Sequence, residues 1–142
     1  MAASFNKFQI FVQDIAQGKH NLASDVLKVM LTNSAPVATN AVLGDLTEIT
    51  AHNGYSAGGN TPTITSATET TGTLKLILAD TVFAASGGSI GPFRYVVLYN
   101  STPTSPLKPL IGWWDYASSI TLNDTETFTT DFDNVNGVLQ LA

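Results

Sequence analysis

The sequence predicts a mainly β protein, folded as an antiparallel β-sandwich or barrel with one short helix at its N-terminus. Charged residues make up only 12% of the 142 residues, about half the usual share. Thr, Ser, Asn and Gly take their place, and such a composition favours β-structure and turns. From residue 61 onward, short apolar segments alternate with turn residues at a spacing typical of sandwiches and barrels.

The N-terminal segment carries a helical pattern. Ser4 is a candidate N-cap and Gly18 is a stop signal, so we predict an amphipathic helix within residues 4–17. The apolar stripe of this helix consists of Phe5, Phe8, Val12 and Ile15. A helix this short is marginal alone in water, so we expect it to dock on the β body or on a neighbouring subunit.

The rest of the chain is predicted to consist of strands, with one helical turn near residues 45–50. The predicted strands are residues 26–32, 61–67, 72–79, 81–85, 93–100, 109–117, 119–122, 126–132 and 138–141. No linker divides the chain, so we expect a single domain, residues 1–142. Residues 1–20 would be its N-terminal helical segment and residues 21–142 its β-sandwich body.

Two of these strands, residues 93–100 and 109–117, are largely apolar on both faces. A strand of a two-sheet sandwich buries only one face, so the other face needs cover from the helix or from another subunit. The helix is too short to cover both strands, and we therefore predict a homo-oligomer. The candidate residues for a subunit or shell contact are Phe5, Phe8, Phe93, Arg94, Tyr95, Trp113, Trp114, Asp115 and Tyr116.

Trp113 and Trp114 are the most specific local feature. Successive strand residues point to opposite faces, so one Trp faces the core and the other faces away. The outward ring would be an interface anchor or a platform for stacking sugars; the alternative is that both rings are buried under the helix. Arg94 is the sole Arg and lies in an apolar strand, so we predict an ion pair with Asp115.

Charge and composition exclude several functions. The net charge is −5, and only six residues are Lys or Arg. No basic stripe exists for nucleic acid or for an anionic membrane. Cys is absent, so no disulfide forms. The N-terminus lacks a basic region followed by an apolar run, so we expect no signal peptide and synthesis in the cytoplasm.

No motif supplies catalytic residues. Residues 87–91 match the G-x-S-x-G pattern of hydrolases, but that pattern needs a helix after it and a His later in the chain. Both His20 and His52 precede Ser89, so we interpret the segment as a hairpin loop. His20 lies between Asp14, Ser24 and Asp25 in sequence, without the spatial convergence that a triad needs, so we expect a structural or a surface His.

Metal patterns fail as well. Residues 131–137 resemble a calcium loop, but Val135 occupies a ligand position and no Glu follows. An Asn-Gly turn is expected there, and a looser oxygen site stays open. His52 has no second His or Cys for zinc. We therefore predict no catalytic, cofactor-binding or metal-binding residue, and no enzymatic activity.

Six segments resemble short virion proteins of tailed bacteriophages and prophages. They are FNKF (residues 5–8), GKHNL (18–22), LKVMLTN (27–33), GPFRY (91–95), VLYN (97–100) and LIGWWDY (110–116). The resemblance implies a capsid decoration, or cement, protein: jelly-roll-like, trimeric, located on the capsid surface of the virion and bound to the major capsid protein. The alternative is a phage tail or receptor-binding module with aromatic carbohydrate contacts.

Overall fold

A computed structural model describes residues 3–142. Within them the chain forms nine strands and one α-helix, which confirms a mainly β protein with antiparallel sheets. The elements are β1 (Phe5–Lys7), α1 (Ile10–Ala16), β2 (Leu27–Thr32), β3 (Ile64–Thr70), β4 (Thr73–Leu78), β5 (Thr81–Ala84), β6 (Ile90–Asn100), β7 (Leu110–Leu122), β8 (Thr127–Thr130) and β9 (Leu139–Leu141). In this part of the chain, no helix has the length and apolar character needed to cross a membrane.

The strands form three sheets. A four-stranded sheet has the order β1-β7-β6-β2, a three-stranded sheet has the order β3-β4-β9, and β5 pairs with β8. One core is shared by all three sheets and by α1. It includes Phe11 of α1, Leu98 of β6, Ile111 of β7, Leu76 of β4 and Phe83 of β5, each at most 1% exposed.

A second, smaller core covers the other face of the four-stranded sheet. Its buried members are Phe8, Met30, Val97, Tyr99 and Leu110. Side chains from the segment between β2 and β3, among them Leu43 and Leu46, pack against it. The second apolar face of β6 is thus covered by the chain itself and not by another subunit. This coverage could not be predicted from the sequence, because the segment between β2 and β3 is rich in turn residues.

The N-terminal prediction needs correction. Residues 5–7 are not helical: they form β1, which pairs with β7 from Phe5 opposite Trp114 to Lys7 opposite Gly112. The helix is shorter than predicted, and its buried residues are Phe11 and Asp14, whereas Val12 is 56% exposed. Pairing with a long strand outweighs weak helical propensity in so short a segment.

The helical turn predicted near residues 45–50 lies slightly earlier, as a 3-10 turn over Leu43–Asp45. Its position is set by Asp45, whose carboxylate accepts hydrogen bonds from the backbone N–H groups of Ala41 and Val42 at 2.8 and 3.2 Å. A carboxylate that accepts backbone N–H groups at the start of a turn is a common capping device.

Residues 116–119 of β7 bulge out of the sheet. Tyr95 pairs with Asp115, and Phe93 pairs with Ile120, so the four residues of the bulge stand opposite the single residue between Phe93 and Tyr95. A bulge bends its strand and redirects side chains. All four bulge residues are exposed to solvent.

The bulge lies where the sequence predicted a break between two strands, residues 109–117 and 119–122. The structure instead has one continuous strand, β7. Ala117 adopts a left-handed backbone with φ 74°, which explains why the local pattern indicates a turn.

The outer edge of β2 is covered by the loop that precedes β3. The backbone groups of Val29 exchange two hydrogen bonds of 2.9 Å with Asn60. The Tyr55 hydroxyl accepts a hydrogen bond from the Leu31 N–H at 3.0 Å, and Ile49 N–H donates to the Leu31 carbonyl at 3.1 Å. An edge paired in this way cannot accept a strand from another chain.

Burial raises the pKa of Tyr55 well above its usual range, and neighbouring Glu48 adds to this effect. The hydroxyl therefore stays protonated and donates to Glu48 Oε1 at 2.7 Å while it accepts from β2. This arrangement fixes the loop against the sheet edge.

Candidate functional site

β7 places the two tryptophans on opposite faces, which confirms the prediction that one faces the main core and the other faces away. Trp114 packs on the main core, with its ring centroid 5.3 Å from Phe5 and 5.6 Å from Phe132. Trp113 packs on the smaller core, 4.5 Å from the Phe8 ring. Both tryptophans keep part of their surface exposed.

The predicted contact residues divide into two groups. Phe8 and Phe93 are 0% exposed and Tyr95 is 9% exposed, so as candidates for a surface contact these three are wrong. Phe93 lies in the main core and Phe8 in the smaller core, and the guanidinium carbon of Arg94 lies 5.4 Å from the centroid of the Tyr95 ring. Surface is left on the remaining six, which are Phe5, Arg94, Trp113, Trp114, Asp115 and Tyr116.

Arg94 and Asp115 form the predicted ion pair. Arg94 Nε donates to Asp115 Oδ1 at 2.7 Å, and Arg94 Nη2 donates to Oδ2 at 3.0 Å. The side chains are 38% and 37% exposed, so the ion pair lies at the surface. Asp115 Oδ1 also accepts the Ala117 N–H at 2.7 Å, which anchors the start of the bulge.

The ion pair makes a pH-dependent contribution to stability. Hydrogen bonds from Arg94 and the Ala117 N–H lower the pKa of Asp115. A carboxyl with a lowered pKa in the folded state stabilises the fold above its unfolded pKa of about 3.9, and this contribution disappears as pH falls through the folded pKa.

We expect Arg94→Gln to lower the free energy of unfolding at neutral pH only slightly. The loss should be smaller than for a buried ion pair, since solvent screens the charges. The difference in free energy of unfolding between wild type and variant should shrink as pH falls below about 4. Urea unfolding at several pH values measures it. A difference that is the same in strong acid and at neutral pH would contradict a role for the charge of Asp115.

A groove of about 260 Å³ opens between β7 and β8. Trp114 and Tyr116 line one side, and Phe128, Asp131 and Phe132 line the other. Tyr116 is 45% exposed, and its ring centroid lies 5.7 Å from that of Phe128. The sequence singled out the β7 residues but missed the β8 side, because nothing local shows that Phe128 and Phe132 lie next to β7.

A buried polar cluster joins the segment after α1 to the end of β6. Asn100 Nδ2 lies 3.1 Å from His20 Nδ1 and donates to Asp25 Oδ2 at 2.7 Å. Asp14 and His20 are 3% and 8% exposed, and neither Asp14 Oδ2 nor His20 Nε2 has a hydrogen-bond partner within the described residues. The sequence placed these acids near His20, but it gave no signal for Asn100, 80 positions away.

Burial lowers the pKa of His20, against the opposing effect of Asp14 and Asp25. The unfolded chain, with a His pKa of about 6.5, therefore takes up the proton more readily than the folded one, and stability must fall as pH drops below about 6.5.

We expect the free energy of unfolding to be lower at about pH 5.5 than at about pH 7.5, and His20→Gln to reduce this difference. Urea unfolding of both proteins at the two pH values checks it. Equal or greater stability of the wild type at the lower pH would contradict a neutral, buried His20.

Residues 131–137 form a turn around Asp133. Its Oδ1 accepts the N–H groups of Val135 and Asn136, each at 2.8 Å, and its Oδ2 accepts from Asn136 Nδ2 at 2.9 Å. The bonds from Asn136, together with the Val135 N–H, lower the pKa of Asp133. The carboxylate is thus engaged by its own turn. Across residues 3–142, no group of three or more His, Cys, Asp and Glu side chains is arranged to hold a metal ion.

The segment around Ser89 leads directly into β6, which begins at Ile90. A hydrolase elbow requires a helix at this point. Gly87 N–H donates to Asp124 Oδ1 at 2.9 Å, which holds the segment as a loop.

Comparison with protein-family models, curated proteins and solved structures found no match.

Proposed function

We propose that the protein is a non-enzymatic virion structural protein, a capsid decoration protein that binds the major capsid protein and stabilises the mature head shell. The observation that carries the proposal is the surface of β7. Trp113, Trp114 and Tyr116 lie partly exposed on a strand that is fixed on both sides, by β1 and β6. Its LIGWWDY segment is also one of the segments that resemble such virion proteins.

The shared core supports a proposal for the finer architecture. We propose a jelly-roll-like sandwich in which the four-stranded sheet forms one layer, and the β3-β4-β9 sheet and the β5-β8 pair form the other. Its support is that side chains from all three sheets meet in one core.

The proposed assembly is a homotrimer on the capsid surface, with the subunit contact on the face of β7 that carries Trp113 and Asp115. Large aromatic side chains are the commonest anchors of protein interfaces. The low share of charged residues reduces repulsion between copies. The number three comes from the resemblance, because a sequence does not fix a symmetry.

Stabilising the mature shell requires binding only and no catalytic step. A protein that binds one state of a shell stabilises that state by mass action. Many copies on a symmetric lattice add avidity to each weak contact.

The two tryptophans should respond differently to substitution. Trp113→Ala removes the proposed anchor, and losing an anchor of about 2–4 kcal/mol raises a dissociation constant by well over tenfold. Trp114→Ala removes a ring from the main core and should mainly lower stability. Light scattering measures the oligomer, and circular dichroism measures unfolding. A Trp113→Ala protein that remains trimeric would refute the assigned contact.

The alternative, a tail or receptor-binding module, would use the aromatic rings of the groove, since tryptophan and tyrosine rings can stack on sugars. Imaging of intact particles with labelled protein separates the two functions. Label distributed over the head is expected for the decoration protein. Label confined to the tail tip would overturn the proposal and support receptor binding.

A further inference from the structure

The groove between β7 and β8 combines aromatic rings with one carboxylate and, within the described residues, no basic side chain. We propose that it binds a basic side chain, an arginine in particular, from a partner protein. The proposal concerns the groove alone and does not depend on a virion role.

The rings of the groove pack against one another, and Tyr116 keeps surface for a ligand. The Trp114 and Phe132 centroids are 5.6 Å apart, and the Tyr116 and Phe128 rings meet edge to face at 5.7 Å, while Tyr116 remains 45% exposed. Aromatic faces carry negative potential and attract a cation placed within about 6 Å of the ring centroid. A planar guanidinium also stacks on such faces, which an ammonium group does not.

Within this chain, Arg94 already combines a contact to an aromatic ring with an ion pair to a carboxylate. The guanidinium carbon of Arg94 lies 5.4 Å from the centroid of Tyr95 while the group pairs with Asp115. An arginine in the groove would have the equivalent two partners, an aromatic face and the carboxylate of Asp131.

Asp131 gives the groove its charge preference. It is exposed, and its carboxylate makes no hydrogen bond or ion pair with residues 3–142. Of the two threonines that line the groove, Thr130 has its hydroxyl engaged with the backbone of Thr81, whereas Thr129 is exposed. A neutral sugar would have only Thr129 and Asp131 as polar partners, whereas a cation gains both the carboxylate and the aromatic rings.

A second copy of this chain would have to break an ion pair of its own to provide the arginine. The sequence contains one arginine, Arg94, and both of its carboxylate contacts are made to Asp115 of its own chain. The partner is therefore a different protein that presents an arginine. The net charge of −5 favours encounter with a basic surface.

The test uses small probes on the whole, isotopically labelled protein, with binding followed by NMR chemical shifts. The probes are N-acetyl-arginine amide, choline, and 3,3-dimethylbutan-1-ol, which is the uncharged isostere of choline. We expect the two cations to shift the signals of Trp114, Tyr116 and Asp131, and the alcohol to leave them unchanged.

Two variants locate the site and one controls for charge. Tyr116→Leu and Asp131→Asn should each weaken binding of the arginine amide by about two- to fivefold, as expected for exposed cation–π and ionic contacts. Glu69→Gln removes an exposed carboxylate on β3 and should change nothing. Thermal unfolding confirms that each variant is folded, since all three positions are at the surface.

Three results would overturn the proposal. One is equal binding of choline and its neutral isostere, which would make the groove merely apolar. Another is binding of neutral hexoses without binding of cations, which would make it a sugar site. The third is the absence of shifts from either cation at concentrations that detect millimolar affinity.

Discussion

Phe8→Ala is expected to lower the free energy of unfolding by about 3–5 kcal/mol, the usual cost of removing a buried Phe side chain. Phe8 is 0% exposed and is the member of the smaller core that contacts Trp113. Its backbone N–H also donates to the Ile111 carbonyl at 3.1 Å, so β7 holds the residue in place. Urea unfolding of wild type and variant measures the loss.

Val12→Ala is the matched control, because the sequence placed Val12 and Phe8 on the same apolar stripe. Val12 is 56% exposed on α1, and its truncation should change the free energy of unfolding by no more than about 0.5 kcal/mol. Equal losses in the free energy of unfolding for the two variants would mean that the N-terminal segment is the amphipathic helix predicted from periodicity. The assignment of residues 5–7 to the strand β1 would then be wrong.

Gly59→Ala should be the other strongly destabilising substitution. Gly59 has φ +78°, and a Cβ there would overlap the carbonyl oxygen of Val29. The loop would have to withdraw from the edge of β2, which would break the paired hydrogen bonds between Val29 and Asn60. Loss of those bonds together with backbone strain should cost at least about 2 kcal/mol.

Gly44→Ala tests whether this effect is specific to the contact. Gly44 has an ordinary φ and no atom within 4 Å of an added Cβ. Substitution there should be nearly neutral or slightly stabilising, since Ala restricts the unfolded chain more than Gly does. If Gly59→Ala is as mild as Gly44→Ala, the loop does not lie against β2 as described.

The strands could be predicted because their signals are local. Alternating apolar residues and turn residues place β2, β4, β6 and β8 within a few positions of their predicted bounds. β1 was missed because its three residues lie within a helical pattern, and its structure depends on pairing with Trp113 and its neighbours on β7. The ion pair was predictable because Arg94 and Asp115 are the charged residues of two predicted strands that are otherwise largely apolar, although the pair itself lies at the surface.

Only the β7 side of the candidate site could be predicted from the sequence. Tyr116 and the tryptophans could be found because they are consecutive or nearly so on one strand. Phe128 and Asp131 reach the groove through the packing of β8, which pairs with β5 and not with β7. Such an arrangement depends on contacts between distant parts of the chain, as does the bond between His20 and Asn100.

Binding to head shells tests the proposed function most directly. Purified protein is mixed with mature heads that lack it and with immature shells, and bound protein is measured after sedimentation. We predict saturable binding to mature heads, weak or no binding to immature shells, and a higher disruption temperature for the decorated heads. Failure to bind mature heads, or binding without any gain in their thermal resistance, would contradict the assignment as a capsid decoration protein.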